Sequence, residues 1–577
     1  MVIGFVLSKR RLGRHDTTVA SILRAPKHVM RLFRIGSFHQ TRISFARTLI
    51  RRMAQEGWQI TAHEKRLDRN GIGRIIYRID TPRGPLTFSG FSNPLAPSER
   101  TDRVIAEKWD AAFTLSLGPP ETVEIDALEM EVPLQEMGRF GVNEIVLSRA
   151  NKSVRLFEGV INSLASGKQP DVHEISKVGY LMRTTAVYGN GKFGLADFEK
   201  LGLERDFTLP FQAEMLSVYM TRQFTLDLID HCAGMRGGKR AVTLARPIRR
   251  MLGIGNATGL GMAPYLINHP KLLNNWIVAR ETALARVRLI ERPAGQEVIK
   301  MCALIDRCRI HITEWPTTDH QQNLDISRMG EDLELVSSLL ADKAWFNEPR
   351  PWDRLIRWAE SNLHLETQEL LVSIIMEPYG ALIDDLETTN SSDEREETWP
   401  EMLLGDLKTL IETTYDWALA LDCTKPNGDK YFWYRSAEKE EPRLGERYVE
   451  PGAELEMPIG IARDVTRLYE KLGELDDEIN TAEFLIAWPQ FRRVVRRIQT
   501  LSELPYAEIR DNLIGSGCEP VNILRCKLSI FGATKFDPKS KLWTRITLFQ
   551  GAPLPDELTL PAADDWFAPI FPRETAV

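Results

Sequence analysis

Cysteine is scarce in this 577-residue chain: Cys232, Cys302, Cys308, Cys423, Cys518 and Cys526 include no C-x-x-C pair. That number is too small for a disulfide scaffold, so the thiols are read as reduced, in a cytosol-like compartment. No run of about 18 apolar residues occurs, which argues against a membrane-spanning helix. The opening MVIGFVLS lacks the order of charge, apolar core and cleavage site that marks a signal peptide. No G-x-S-x-G elbow is present. In YLMRTTAVYGNGKFG (180–194), Phe193 stands where a P-loop requires Ser or Thr, so no nucleotide phosphate loop is assigned. His311, Glu314, Asp319 and His320 cluster in HITEWPTTDH, but at no standard ligand spacing, and no metal is expected.

What is present is the composition of a chain that can bury a sizeable core: 43% hydrophobic and 27% charged residues, with a mean hydropathy of −0.25. The formal net charge of −6 conceals an asymmetry. Residues 1–54 hold twelve lysines and arginines against the single acid Asp16, a net of +11, which leaves −17 on the remainder. An acidic body does not suit general nucleic-acid binding, which needs a basic face to neutralise phosphates. The basic head admits four readings: a transit peptide, a polyanion-binding arm, an upstream extension with later starts at Met30 or Met53, or a partly helical segment packed on the acidic body.

Periodicity divides the chain further. WQITAHEKRL and GRIIYRIDTPRGPLTFSGF alternate around the turn signals DRNG and TPRG, which predicts an antiparallel meander of about three strands. RTDRVIAEKWDAAFTL and SRANKSVRLFEGVINSLASG read as helical. Leu216, Met220, Phe224, Leu228 and Cys232 recur at i+4, and Leu273, Ile277, Leu284 and Val287 mark another helix. LETTNSSDEREE reads as an acidic linker. A helix is expected over IARDVTRLYEKLGEL, and strands over LSIFGATKF and KLWTRITLF that could join the N-terminal sheet. The expected fold is α+β, mainly α: a large helical central domain with a small antiparallel sheet. The expected units are a basic segment 1–54, a small α+β unit 55–150, a helical domain 151–385, a linker 386–398 and a C-terminal α+β unit 399–577.

Three stretches carry candidate chemistry. GIGNATGLGMAP (254–265), with Gly253 before it, fits only the looser dinucleotide spacing. ARPIRRML ahead of it cannot be a buried parallel strand, and Glu281 sits in a helical pattern, not at a strand end. The run is therefore read as a small-residue connection between helices or a ligand-binding loop, with Asn256 and Thr258 as polar groups and His269 beside it. The turn at Gly189, Asn190 and Gly191, flanked by Arg183, Tyr188 and Lys192, could bind a phosphate or carboxylate. KYFWYRSAEKEEPRLGER (430–447) joins Tyr434 to Arg435 and Arg443, suited either to a planar anion or to an ion-pair network.

These residues favour a soluble, cytoplasmic enzyme that acts on a small anionic metabolite (a carboxylate, phosphate or acyl thioester) by acid–base chemistry of the lyase or hydrolase kind. Arg183, Lys192, Asn190, Asn256, Thr258, Arg435 and Arg443 would bind substrate, while His269, Tyr188 and Tyr434 would move protons. Two other readings stand beside it: a flavin- or nicotinamide-dependent oxidoreductase, and a helical interaction protein with a basic polyanion-binding arm. The cofactor is unassigned, homo-oligomerisation is left open, and the basic head leaves organellar import open.

Overall fold

The computed structural model describes residues 22–99, 108–134, 143–189, 211–259, 270–315, 317–390, 398–422, 433–436, 442–444, 456–458, 460–510, 520–533, 535–540 and 543–566. Its centre is a nine-stranded mixed sheet in the order β1-β2-β3-β4-β5-β6-β7-β12-β11. The first three strands, β1 (Gln59–Leu67), β2 (Gly73–Thr81) and β3 (Gly84–Ser92), form an antiparallel meander. β4 (Ala111–Leu117), β5 (Glu144–Lys152) and β6 (Tyr180–Gly189) extend it antiparallel. β7 (Gly253–Gly259) then lies parallel to β6, and the hairpin of β11 (Lys535–Ser540) and β12 (Trp543–Leu548) closes the order antiparallel to β7.

This corrects the expected small antiparallel sheet, because the sheet is large, mixed and central to the fold. The physical reason lies in β4 and β5. Residues 111–116 and 145–151 are buried without interruption; β5 carries no alternation, and that of β4 is confined to the five residues FTLSL at the end of a stretch with helical spacing. The stretches with helical spacing, RTDRVIAEKWDAAFTL and SRANKSVRLFEGVINSLASG, overlap both strands. The glycine run 253–259 also proves to be a strand and not a connection between helices.

Helices cover the sheet and build the remaining body. The important ones are α1 (Phe45–Gln55), α2 (Gln212–Gly237), α3 (Arg246–Met251), α4 (Pro270–Arg288), α5 (His320–Ala341), α6 (Leu365–Met376), α7 (Ile461–Gly473) and α8 (Pro520–Phe531). The i+4 stripe of α2 faces the sheet: a Cβ on Gly90 would meet the Phe224 ring at 2.5 Å, and one on Gly71 would meet Cys232 Sγ at 2.5 Å. Leu273, Ile277, Leu284 and Val287 of α4 are all buried. No helix among the described residues is long and apolar enough to cross a membrane. A separate three-stranded sheet, β10-β8-β9, consists of β8 (Trp433–Ser436), β9 (Pro442–Leu444) and β10 (Glu456–Pro458).

The described part of the basic head, from residue 22 to α1, is built into this body. Val29, Met30, Leu32, Ile35, Leu49 and Ile50 are fully buried in the main core. Four of its arginines are matched to distant acids. Arg24 bonds Glu281 and Glu369 at 2.8 and 2.9 Å, and Arg34 also reaches Glu369. Arg47 bonds Glu377 at 2.8 Å, and Arg42 bonds Asp384 at 2.6 Å. Arg280 completes the ring around Glu369 at 2.6 Å. These guanidinium groups are buried because each carries a carboxylate, the condition under which interior charge is tolerated.

Candidate functional site

The parallel pair gives the sheet its singular feature. Chain leaves β6, returns through α2 and α3, and enters β7 beside β6, which makes a β-α-β crossover with α2 packed on the sheet. In such units ligands lie outside the carboxyl ends of the parallel strands, close to the start of the crossover helix. Here the strands end at Gly189 and Gly259, and the helix starts at Gln212.

The glycines of β7 have a packing reason. A Cβ on Gly255 would stand 2.4 Å from the Tyr180 ring, and one on Gly253 would stand 2.3 Å from the Leu548 carbonyl oxygen. Strands and rings approach where only hydrogen fits. ARPIRRML, which precedes the run, contains helix α3, so the order of a dinucleotide fingerprint is inverted: helix first, glycine strand second.

Two of the sequence candidates, Arg183 and Asn256, stand at successive levels of this pair. Arg183 is level with Gly255, and Thr184 with Asn256. Asn256 Nδ2 donates to Thr184 Oγ1 at 3.1 Å, and that hydroxyl donates to the Gly255 carbonyl at 3.3 Å. Side chains alternate along a strand, so Arg183 lies on the opposite face from this chain of bonds. Arg183 is half-buried, and among the described residues its guanidinium has no hydrogen bond or ion pair. Tyr188 occupies β6 opposite Leu147, and Thr258 occupies β7 opposite Thr544. Asn190, Lys192 and His269 lie outside the described residues. The first two directly follow the end of β6, and His269 directly precedes α4. Tyr434, Arg435 and Arg443 belong to the separate small sheet, with Tyr434 level with Arg443 and Arg435 with Pro442.

Sequence reasoning missed Glu214. It stands in the first turn of α2, one turn before Ser217, whose hydroxyl is 2.9 Å from that of Ser148 on β5. Ser148 is level with Val187 of β6, so the head of α2 lies over the β5 and β6 strands. The Glu214 side chain is buried, and neither carboxyl oxygen has a hydrogen-bond partner among the described residues. Burial pushes its pKa up to about 8, opposed only by its own backbone amide. The residue before α2, Phe211, holds a left-handed φ of 62° while its ring packs on Phe45 and Phe531. Strain of that kind persists only where packing enforces it. The available signal was one acid, Glu214, inside the apolar run QAEMLSVYM.

Other candidates acquire structural roles. Asp319 caps α5, accepting from the Gln322 amide at 2.8 Å. His231 Nε2 is 2.8 Å from the Asp68 carbonyl oxygen. His311 leans on Trp315, with ring centroids 5.5 Å apart. Among the described residues no group of three or more His, Cys, Asp or Glu is placed to hold a metal ion. Comparison with protein-family models, curated proteins and solved structures finds no match.

Proposed function

We propose that this chain is an enzyme that moves a proton on a small anionic metabolite at the carboxyl ends of β6 and β7, with Glu214 as the proton carrier. The observation that carries this reading is the unpartnered, buried Glu214 carboxyl, pushed up to about 8 at the head of the crossover helix. A carboxyl held protonated near neutrality can donate to a leaving group or a developing oxyanion, and then take a proton back. General acid–base catalysis is most effective when the group's pKa lies near the working pH. Structural carboxylates are normally given partners instead.

The anion would be held by groups that follow the strand ends. Asn190 and Lys192 come directly after β6, and Arg183 offers an unmatched guanidinium on that strand. Asn256 and Thr184 form a hydrogen-bonded polar chain between β6 and β7, while Tyr188, Thr258 and His269 border it in sequence. Tyr434, Arg435 and Arg443 take no part in this reading, since their sheet is not hydrogen-bonded to the large one. The polyanion-binding arm loses support over residues 22–53, where Arg24, Arg34, Arg42 and Arg47 are already engaged by carboxylates.

The test is a thermal-shift screen of the full chain against carboxylates, phosphates and acyl thioesters, followed by product analysis with any compound that stabilises it. A stabilising compound is expected to be converted by the parent. Glu214→Gln should still bind it, yet convert it at least about a hundredfold more slowly. Equal turnover in the variant, or no stabilising compound in any class, would overturn the assignment.

A further inference from the structure

Residues 55–577 carry a formal charge of −17, yet one end of the fold gathers cations. SLASGKQ (163–169) and CAGMRGGKRAVTLA (232–245) contain four basic residues and no acid. The fold brings the two stretches together. Gly237, at the C-terminal end of α2, packs so closely on the helix Leu156–Ala165 that a Cβ on it would stand 2.2 Å from the Ala165 carbonyl oxygen. The Val242 amide donates to the Leu164 carbonyl at 3.0 Å, and Gln169 Nε2 to the Thr243 carbonyl at 2.9 Å. The DRNG turn between β1 and β2 reaches the same end, since the Asp68 carbonyl oxygen meets His231 and Gly71 lies against Cys232.

Four of the cations gathered here are unmatched. Arg69, Lys168, Lys239 and Arg240 are exposed, and among the described residues their side chains form no hydrogen bond or ion pair. A fifth, Arg236, pairs with Glu158 at 2.6 Å. The bordering acids are engaged within the chain. Asp68 accepts from the Asn70 and Ile72 amides at 2.7 and 2.9 Å, and Asp171 from the His173 amide at 2.8 Å. Asp230 pairs with Arg249, and Glu174 with Lys177. Two aliphatic side chains stand among the unmatched cations, Met235 at 54% and Val242 at 37% exposure. A nucleic-acid backbone offers phosphates to the cations and nothing to the aliphatic groups. An anionic bilayer surface takes both, with headgroups on the cations and aliphatic side chains at the acyl boundary.

We propose that this end of the fold, through Arg69, Lys168, Met235, Lys239, Arg240 and Val242, docks on a membrane surface that contains anionic phospholipid. Glu214 and Met235 lie near opposite ends of α2, about 30 Å apart along the helix, so the docking face is separate from the proposed catalytic end.

The test is flotation of the full chain with phosphatidylcholine vesicles, with and without phosphatidylserine, at low and high salt. The parent is expected to float with the phosphatidylserine vesicles at low salt, to stay behind with phosphatidylcholine alone, and to be released as salt screens the cations. Lys239→Glu with Arg240→Glu should keep the circular dichroism of the parent and lower the affinity at least about tenfold. Arg69→Glu with Lys168→Glu, on two other segments, should do the same, so misfolding of either pair leaves the test intact. Met235→Ser with Val242→Ser should weaken binding by about threefold or more and keep its salt dependence. Glu214→Gln should float like the parent, whatever its effect on turnover. A parent that does not float with phosphatidylserine, folded charge variants that float as it does, or aliphatic variants with undiminished binding would overturn the proposal.

Discussion

Glu214 and Glu369 are the same side chain, each buried on a helix, and their protons are held in opposite senses. Around Glu369, Arg24, Arg34 and Arg280 hold the carboxyl well below its ordinary range despite complete burial. Among the described residues Glu214 meets no cation and no donor but its own amide, so the cost of burying charge goes uncompensated and the carboxyl rises to about 8. Burial alone therefore does not decide how a carboxyl behaves; the presence of matched donors does. The first arrangement ties the N-terminal head to the helices, and the second leaves a group able to exchange a proton near neutral pH.

The contrast breaks most severely at the matched site. Glu369→Ala would leave buried Arg34 without its carboxylate and take one of two from Arg24 and Arg280, which keep Glu281, and denaturant unfolding should show a loss of roughly 3–5 kcal/mol or failure to fold. At the unmatched site the sign reverses. Glu214 binds its proton more tightly folded than unfolded, so its contribution to stability is complete below about pH 4.5 and declines as pH rises toward about 8. Glu214→Gln, which keeps shape without charge, should be more stable than the parent at pH 8.5 by a few kcal/mol, about 1.4 for each unit of the shift at most. The two should converge near pH 5.

Smaller effects sharpen the picture. Gly255→Ala forces a methyl group against the Tyr180 ring and should cost about 1–3 kcal/mol in urea unfolding, with no change in the titration of Glu214. If the glycine served a ligand and not packing, stability would be unchanged. Lys177→Ala removes an exposed i,i+3 pair with Glu174 and should alter the unfolding free energy by no more than about 0.5 kcal/mol in denaturant unfolding.

Parts of this were legible in the sequence for definite reasons. The residue types of β1 to β3 alternate between the turn signals DRNG and TPRG, and the stripe on α2 recurs every fourth residue, so both carry the period of their element in the sequence. β5 is buried along its length and carries no period, and β4 alternates only over FTLSL, while β7 is a glycine strand whose logic lies in Tyr180, more than seventy residues earlier. The partners of Arg24 lie 257 and 345 residues away, so nothing local tells a paired basic segment from a free one. Arg183 and Asn256 were legible as residue types, and their places on neighbouring strands came only with the parallel register. Glu214 stayed hidden because its environment, not its neighbours in sequence, sets its chemistry.

The most direct test follows the carboxyl itself. Selective ¹³C labelling of glutamate, with the Glu214 signal assigned by its absence in Glu214→Gln, gives its titration in the folded chain. A midpoint near pH 8 is the predicted result; a midpoint near the ordinary glutamate value of about 4.5 would contradict the account.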